Sequence, residues 1–128
     1  MSQAVFPWRA GNSYRLWCDG EQFFPRMLAA IEGAERQVEL ELYLVEAGQC
    51  AERLVEALSR TALRGIPVRC LFDAFGSQRL GARLSARLRG AGVQLRLYNP
   101  LGWRHGVRNL YRDHRKLLLV DQARGWIG

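Results

Sequence analysis

Between residues 37 and 98 the apolar side chains change period again and again, and few folds accept that succession. Residues 37–45 alternate: Val38, Leu40, Leu42 and Leu44 leave one way and Glu39, Glu41 and Tyr43 the other, the period-two pattern of a strand. Cys50, Leu54, Ala57, Leu58 and Thr61 then recur at helical spacing up to the stop at Gly65, with Arg53, Glu56, Arg60 and Arg64 around the polar side. Residues 66–72 predict a second strand. Leu80, Leu84 and Leu88 predict a second helix of this region, ending near Gly90-Ala91-Gly92, and residues 93–98 a third strand. Strands joined through helices pair in parallel and leave those helices on the faces of the sheet.

The flanks extend the pattern. Residues 12–18 read as a short strand ended by Asp19-Gly20, and residues 23–34 as an amphipathic helix with Pro25 in its first turn. Residues 99–113 form a loop rich in glycine, arginine and aromatic side chains. It leads into residues 114–121, an apolar run suited to a strand buried on both faces. The expected fold class is α/β, a mixed and largely parallel sheet flanked by helices, with residues 1–128 as one domain.

Other classes are disfavoured. The apolar stretches fall far short of the roughly 18 residues that cross a bilayer. Residues 1–10 lack the basic start and apolar core of a signal peptide. Cys18, Cys50 and Cys70 suit neither a disulfide framework nor paired zinc ligands and are read as reduced core residues. Residues 1–50 carry four arginines against seven acids, whereas residues 51–128 carry fifteen bases against five acids. The second part is therefore the one suited to a polyanion, whether nucleic acid or anionic lipid.

Lys116 is the one lysine among nineteen basic residues. An ammonium presses on one phosphate oxygen as a point charge, where guanidinium prefers to bridge two acceptors. His114 stands two positions earlier, so in a strand both side chains leave the same face about 6.6 Å apart, a spacing suited to gripping one phosphate. A neutral imidazole can attack phosphorus while Lys116 stabilises charge on the non-bridging oxygens. The departing alkoxide still needs a proton, which calls for a second histidine; His105, nine residues back in a loop, is read as a surface residue. Asp121 lies about 16 Å beyond Lys116 along an extended strand and has the opposite side-chain parity. It is expected to fix the turn after it or to pair elsewhere in the site.

His114-x-Lys116-x4-Asp121 matches the HxKxxxxD signature of the phospholipase D superfamily, and its surroundings resemble the cardiolipin synthase branch. The resemblance runs from about Gly11 to the last residue. It includes Gly11-Asn12, Asp19-Gly20-Glu21-Gln22 followed by Phe23-Phe24-Pro25, Glu41-Leu42-Tyr43, Arg64-Gly65, the stretch from Asp73 to Ser77, and Asn109-Leu110-Tyr111-Arg112-Asp113-His114-Arg115-Lys116. What the resemblance implies is transfer of a phosphatidyl group among phosphatidylglycerol-type lipids through a phosphohistidine, with neither metal nor organic cofactor. His114, Lys116 and Asp121 would be the catalytic set, and Glu41, Arg112, Asn109 and Ser77 the substrate-binding set. Members of the family carry two such motifs, so this chain is expected to be the N-terminal half of the enzyme, inactive by itself. Its partners would be a phospholipid, an anionic membrane surface on the cytoplasmic face, and a second motif-bearing half or a homodimer partner.

Two other readings stand beside this one: a homodimeric single-motif nuclease, and a non-catalytic fragment that binds anionic surfaces. Nucleic acid is the less favoured substrate. Asp73 and Ser77 are equally suited to capping the following helix. The stripe of Arg79, Arg83 and Arg87 reads as a solvated face ahead of a docking surface. Trp8, Trp103 and Trp126 read as packed in core or loops ahead of a lipid interface.

Overall fold

The computed structural model describes residues 6–128; Met1 to Val5, part of the segment read for a signal peptide, lie outside them. Helix α1 (Gly20–Glu32) comes first, followed by β1 (Val38–Leu42), α2 (Gln49–Leu63), β2 (Val68–Asp73), α3 (Gly81–Gly90), β3 (Gln94–Tyr98), β4 (Lys116–Val120) and β5 (Arg124–Ile127). The strands form one sheet in the order β3-β2-β1-β4-β5. β1, β2 and β3 pair in parallel, while β4 runs antiparallel to both its neighbours. The mixed sheet and its helices are those the periodicity predicts.

Register follows from the side-chain pattern. Val38 and Leu40 of β1, Val68, Cys70 and Phe72 of β2, Leu95 of β3, and Leu118 and Val120 of β4 are buried in one core with Ile31, Leu54, Leu58, Leu84 and Leu88 of the helices. The other sheet face carries Glu39, Glu41, Arg69, Leu71, Gln94, Arg96, Leu117 and Leu119 along an open groove. β4 is therefore not buried on both faces, as its apolar run suggests: Leu118 and Val120 are buried, Leu117 and Leu119 half-buried. An apolar run can serve a strand with one covered face and one partly sheltered face equally well.

Several local expectations change. Residues 12–18 form no strand, because a strand exists only where a neighbour takes its N–H and C=O groups, and neither sheet edge does so. Trp17 lies instead under the guanidinium of Arg26 on α1, 4.0 Å from its ring centre. α1 begins three residues earlier than expected because the Asp19 carboxylate caps it, accepting the Gln22 N–H at 2.8 Å. Pro25 consequently lies inside the helix and not in its first turn. Cys18 and Cys50 are exposed, and only Cys70 is a core cysteine, its thiol pushed up to about 12 by burial. Arg64, expected on the polar side of α2, reaches across to donate to the Glu32 and Ala34 carbonyls at the end of α1. The buried Thr61 hydroxyl donates to Ile31 O nearby.

Asp121 is also relocated. Val120 pairs with Val38 at the start of β1, and Lys116 with Leu42 at its end, so Asp121 lies at the far end of β4 from the histidine-lysine pair. Its carboxylate accepts N–H groups from Gln37, Glu35 and Arg36, which fixes the approach to β1. Of its two expected roles, turn support or pairing within the site, neither describes this contact, which spans 84–86 residues of sequence.

Those N–H groups, Gln37 first, hold the Asp121 carboxyl below the usual aspartate range. A carboxylate with a lowered folded-state pKa stabilises the fold above the ordinary aspartate pKa, and that contribution is lost as pH falls through the lowered value. In thermal unfolding followed across pH, Asp121→Asn is expected to melt earlier at neutral pH and to lose stability less steeply in acid. Leu58→Ala, at a fully buried site, is expected to cost about 3 kcal/mol in urea unfolding.

Candidate active site

Because β4 runs against β1, its first residues lie at the carboxyl ends of the three parallel strands, the edge where open α/β sheets place their ligands. Lys116 opens β4 opposite Leu42, and His114 precedes it by two residues in extended chain. The His114 imidazole stacks on the Tyr43 ring, with centroids 3.9 Å apart and planes 15° apart. Both His114 and Lys116 are exposed, and the Lys116 ammonium lies 3.4 Å from the His114 carbonyl oxygen. A base and a point cation thus share one rim, the minimum needed to hold a phosphate between them.

What fixes this rim is Asp73. It closes β2 with no solvent exposure and accepts the N–H groups of Phe75, Gly76 and Asp113, the last at 2.9 Å and immediately before His114. Burial alone would raise its carboxyl pKa. The N–H groups of Asp113, Gly76 and Phe75, together with the Arg112 guanidinium at 3.3 Å, outweigh burial and hold it below the usual range. The loop after Asp73 also supports Tyr43. The Gly76 carbonyl accepts the Val45 N–H, and a methyl group on Gly76 would collide with the Tyr43 carbonyl. Gly76 therefore sets how closely Tyr43, and with it His114, approaches β2.

The remaining candidates are placed differently from the expectation. Arg112, read as a phosphate or headgroup ligand, is only 11% exposed; it holds Asp73 and the Asn99 carbonyl, and its Nε is buried without a partner. Asn109 exchanges two hydrogen bonds with Gly102, closing the loop before the site. Ser77 is buried and donates to the Asp73 carbonyl at 2.6 Å. All three are engaged with the protein, and Arg112 Nε is the one polar side-chain atom among them that is buried without a partner. Glu41 lies on the open sheet face beside Leu117, where Arg115 faces it at 3.5 Å; its Oε2 is buried with no hydrogen-bond donor. Asp121 is at the opposite end of the strand, so a direct part in the reaction has no geometric basis. His105 is exposed in the loop.

Residue types and spacing identify His114 and Lys116 but not their supports. Tyr43 reads as one alternating strand residue, and its stack on His114 joins positions 71 residues apart. Asp73 carries a readable signal, a strand-end aspartate followed by Gly76-Ser77, yet nothing local shows that it also holds Asp113. Among the described residues no group of three or more His, Cys, Asp or Glu side chains could hold a metal ion.

No protein-family profile matches the chain. Cardiolipin synthase B from Salmonella typhi is 33% identical over 123 residues, which is 94% of this chain and 30% of that protein. The chain thus spans about 30% of the length of such a relative. Among solved structures, NucT from Helicobacter pylori superposes with a TM-score of 0.56 at 17% identity, over 79% of this chain and 61% of that one. Nuc from Salmonella typhimurium, described as a phospholipase D family member, gives a TM-score of 0.50 at 23% identity, over 76% of this chain and 56% of that one.

Removing the buried Asp73 carboxylate leaves three N–H groups and a guanidinium without their acceptor. Asp73→Ala is therefore expected to lower stability by about 3 kcal/mol in urea unfolding. Gly76→Ala is expected to keep the fold but displace Tyr43, which NMR would show as loss of the ring-current shift on the His114 ring protons; unchanged His114 signals would mean the stack does not depend on Gly76.

Proposed function

The chain is a phospholipase D-like domain, similar to cardiolipin synthases over nearly all its length, and from that premise we propose that it forms one half of a phosphatidyltransferase site acting on phosphatidylglycerol-type lipids. The observation that carries the reading is the exposed pair of His114 and Lys116 at the carboxyl ends of the parallel strands, with His114 oriented by Tyr43. No helix is long and apolar enough to cross a membrane among the described residues. In this reading the domain meets its lipid from the cytoplasmic face, at the bilayer surface.

A ring nitrogen of neutral His114 attacks the lipid phosphorus, the P–O bond to the departing glycerol breaks, and a phosphatidyl-histidine forms. The leaving alkoxide takes a proton from a histidine of the second half. That same histidine then removes the proton of the acceptor alcohol, whose oxygen attacks phosphorus and frees His114. Lys116 stabilises the charge that builds on the non-bridging oxygens. One imidazole cannot be nucleophile and acid in the same step, so a single half turns over little by itself. The stacked Tyr43 restricts His114 to an orientation from which attack is direct, which is a matter of positioning. Asp73 and Arg112 act one layer behind, holding the backbone at Asp113.

The second reading is a symmetric dimer that cleaves nucleic acid. It is favoured by the formal net charge of +7 and by the ten-charge excess of bases in residues 51–128. A dimer would supply the missing acid from its own copy of His114.

Phosphatidylglycerol vesicles and plasmid DNA, each in EDTA, separate the two. Co-expressed with the second motif-bearing half of a cardiolipin synthase, the chain is expected to convert phosphatidylglycerol. His114→Ala should reduce that turnover by roughly 10³-fold or more and Lys116→Ala by roughly 10²- to 10³-fold. Plasmid nicking by a dimer, with the vesicles untouched, would select the nuclease.

A further inference from the structure

The loop that joins β3 to β4 engages its two asparagine amides in internal hydrogen bonds and leaves several of its large apolar side chains exposed. The Asn99 amide donates to the carbonyls of Arg108 and Tyr111, Asn109 is bonded twice to Gly102, and a 3-10 turn at Gly106–Leu110 completes the closure. With those bonds made internally, Trp103 stands 95% exposed, Leu110 79%, Val107 74% and Tyr111 65%. An ordinary water-facing loop has the reverse arrangement, with asparagines in solvent and large apolar side chains against the core. Four large apolar groups are exposed on one short, self-closed loop, and such a concentration of exposed apolar surface marks a place that meets an apolar partner.

The charge on the loop selects the partner. Arg104 and Arg108 are exposed among these apolar groups, and residues 99–111 contain no acid. Apolar and aromatic side chains interleaved with arginine suit the boundary between acyl chains and anionic headgroups. A nucleic-acid backbone would leave Val107 and Leu110 without a favourable contact. Position agrees: the loop leaves the end of β3 and returns through Arg112 and Asp113 to His114, with Tyr111 only three residues from the imidazole. A surface that receives the loop therefore lies beside the reacting edge.

We propose that the loop over residues 99–111 is the membrane-docking element of this domain. Trp103, Val107, Leu110 and Tyr111 enter an anionic phospholipid surface, and Arg104 and Arg108 lie on its headgroup phosphates. The proposal rests on the lipid reading of the site and names the part of the molecule that delivers the site to its substrate. Nothing in it requires turnover, because docking precedes chemistry.

The test is co-sedimentation of the chain with vesicles of equimolar phosphatidylglycerol and phosphatidylcholine, and with phosphatidylcholine alone. The wild-type chain should bind the mixed vesicles. Trp103→Ser with Leu110→Ser should weaken that binding at least about tenfold by removing apolar burial. Arg104→Gln with Arg108→Gln should weaken it roughly 30-fold, and this loss should disappear on phosphatidylcholine alone. Leu63→Ser, which removes an exposed leucine from the far end of α2, should bind as wild type does. A chain that ignores anionic vesicles, loop variants that bind them unchanged, or a Leu63→Ser variant as weak as the loop variants would each overturn the proposal. A loop-dependent dimer in light scattering without vesicle binding would overturn it in favour of a second copy. Vesicle binding through the loop with no lipid turnover even when the second motif-bearing half is co-expressed would, by contrast, count against the transferase reading and leave the docking assignment intact.

Discussion

The Asp73 carboxylate, fully buried at the end of β2, accepts backbone N–H groups from two segments that sequence keeps forty residues apart. One is the tight loop that follows it, and the other is the chain entering β4. Buried away from water, an ionised carboxylate is stable only when its lone pairs are filled, so the site must close around it or not form at all. Closure brings Gly76 against the Tyr43 carbonyl, and Tyr43 under His114. The exposed rim that carries His114 and Lys116 is thus held by a buried, hydrogen-bonded anchor behind it. His114 can remain open to solvent because its position is set by groups that are not.

Asp121 does for the other end of β4 what Asp73 does for its beginning. It too binds three backbone N–H groups, here those of residues 35–37, and it too lies outside the ladder it stabilises. The two aspartates bracket an antiparallel strand inserted beside parallel ones. That strand must be held in register at both ends, since a slip of one residue would turn Lys116 and the buried Leu118 and Val120 to the opposite face. The aspartate of the motif thus holds the register of β4 from the end opposite His114 and Lys116.

Two sets of exposed arginines differ in their surroundings. Arg79, Arg83 and Arg87, which read as a solvated stripe, face acidic groups across the helix layer: Glu46 meets Arg79, and Glu52 lies between Arg83 and Arg87. These exposed pairs contribute little stability individually, but they leave the stripe less free to bind a membrane. Arg104 and Arg108 lie where no acid is near in sequence. These two arginines lie in the loop that leads to His114.

The sequence by itself determined the alternation of strands and helices from residue 37 onward, most of the core-facing positions there, and which histidine and lysine stand out as candidates. Each of these is a local property: Val38 and Leu40 declare their face by alternation, Leu84 and Leu88 by helical spacing, and His114-x-Lys116 by the chemistry of two adjacent same-parity side chains. Only the tertiary structure decided what holds that pair. Arg112, Asn109 and Ser77 have the residue types of ligands, and folding commits all three to internal hydrogen bonds. Tyr43 has the pattern of an ordinary strand residue, and folding stacks it against His114. The physical reason is that a hydrogen-bonding side chain has several possible partners along the chain. Which one it takes depends on the desolvated neighbours that packing brings within about 3 Å, and these come from segments that spacing alone does not relate.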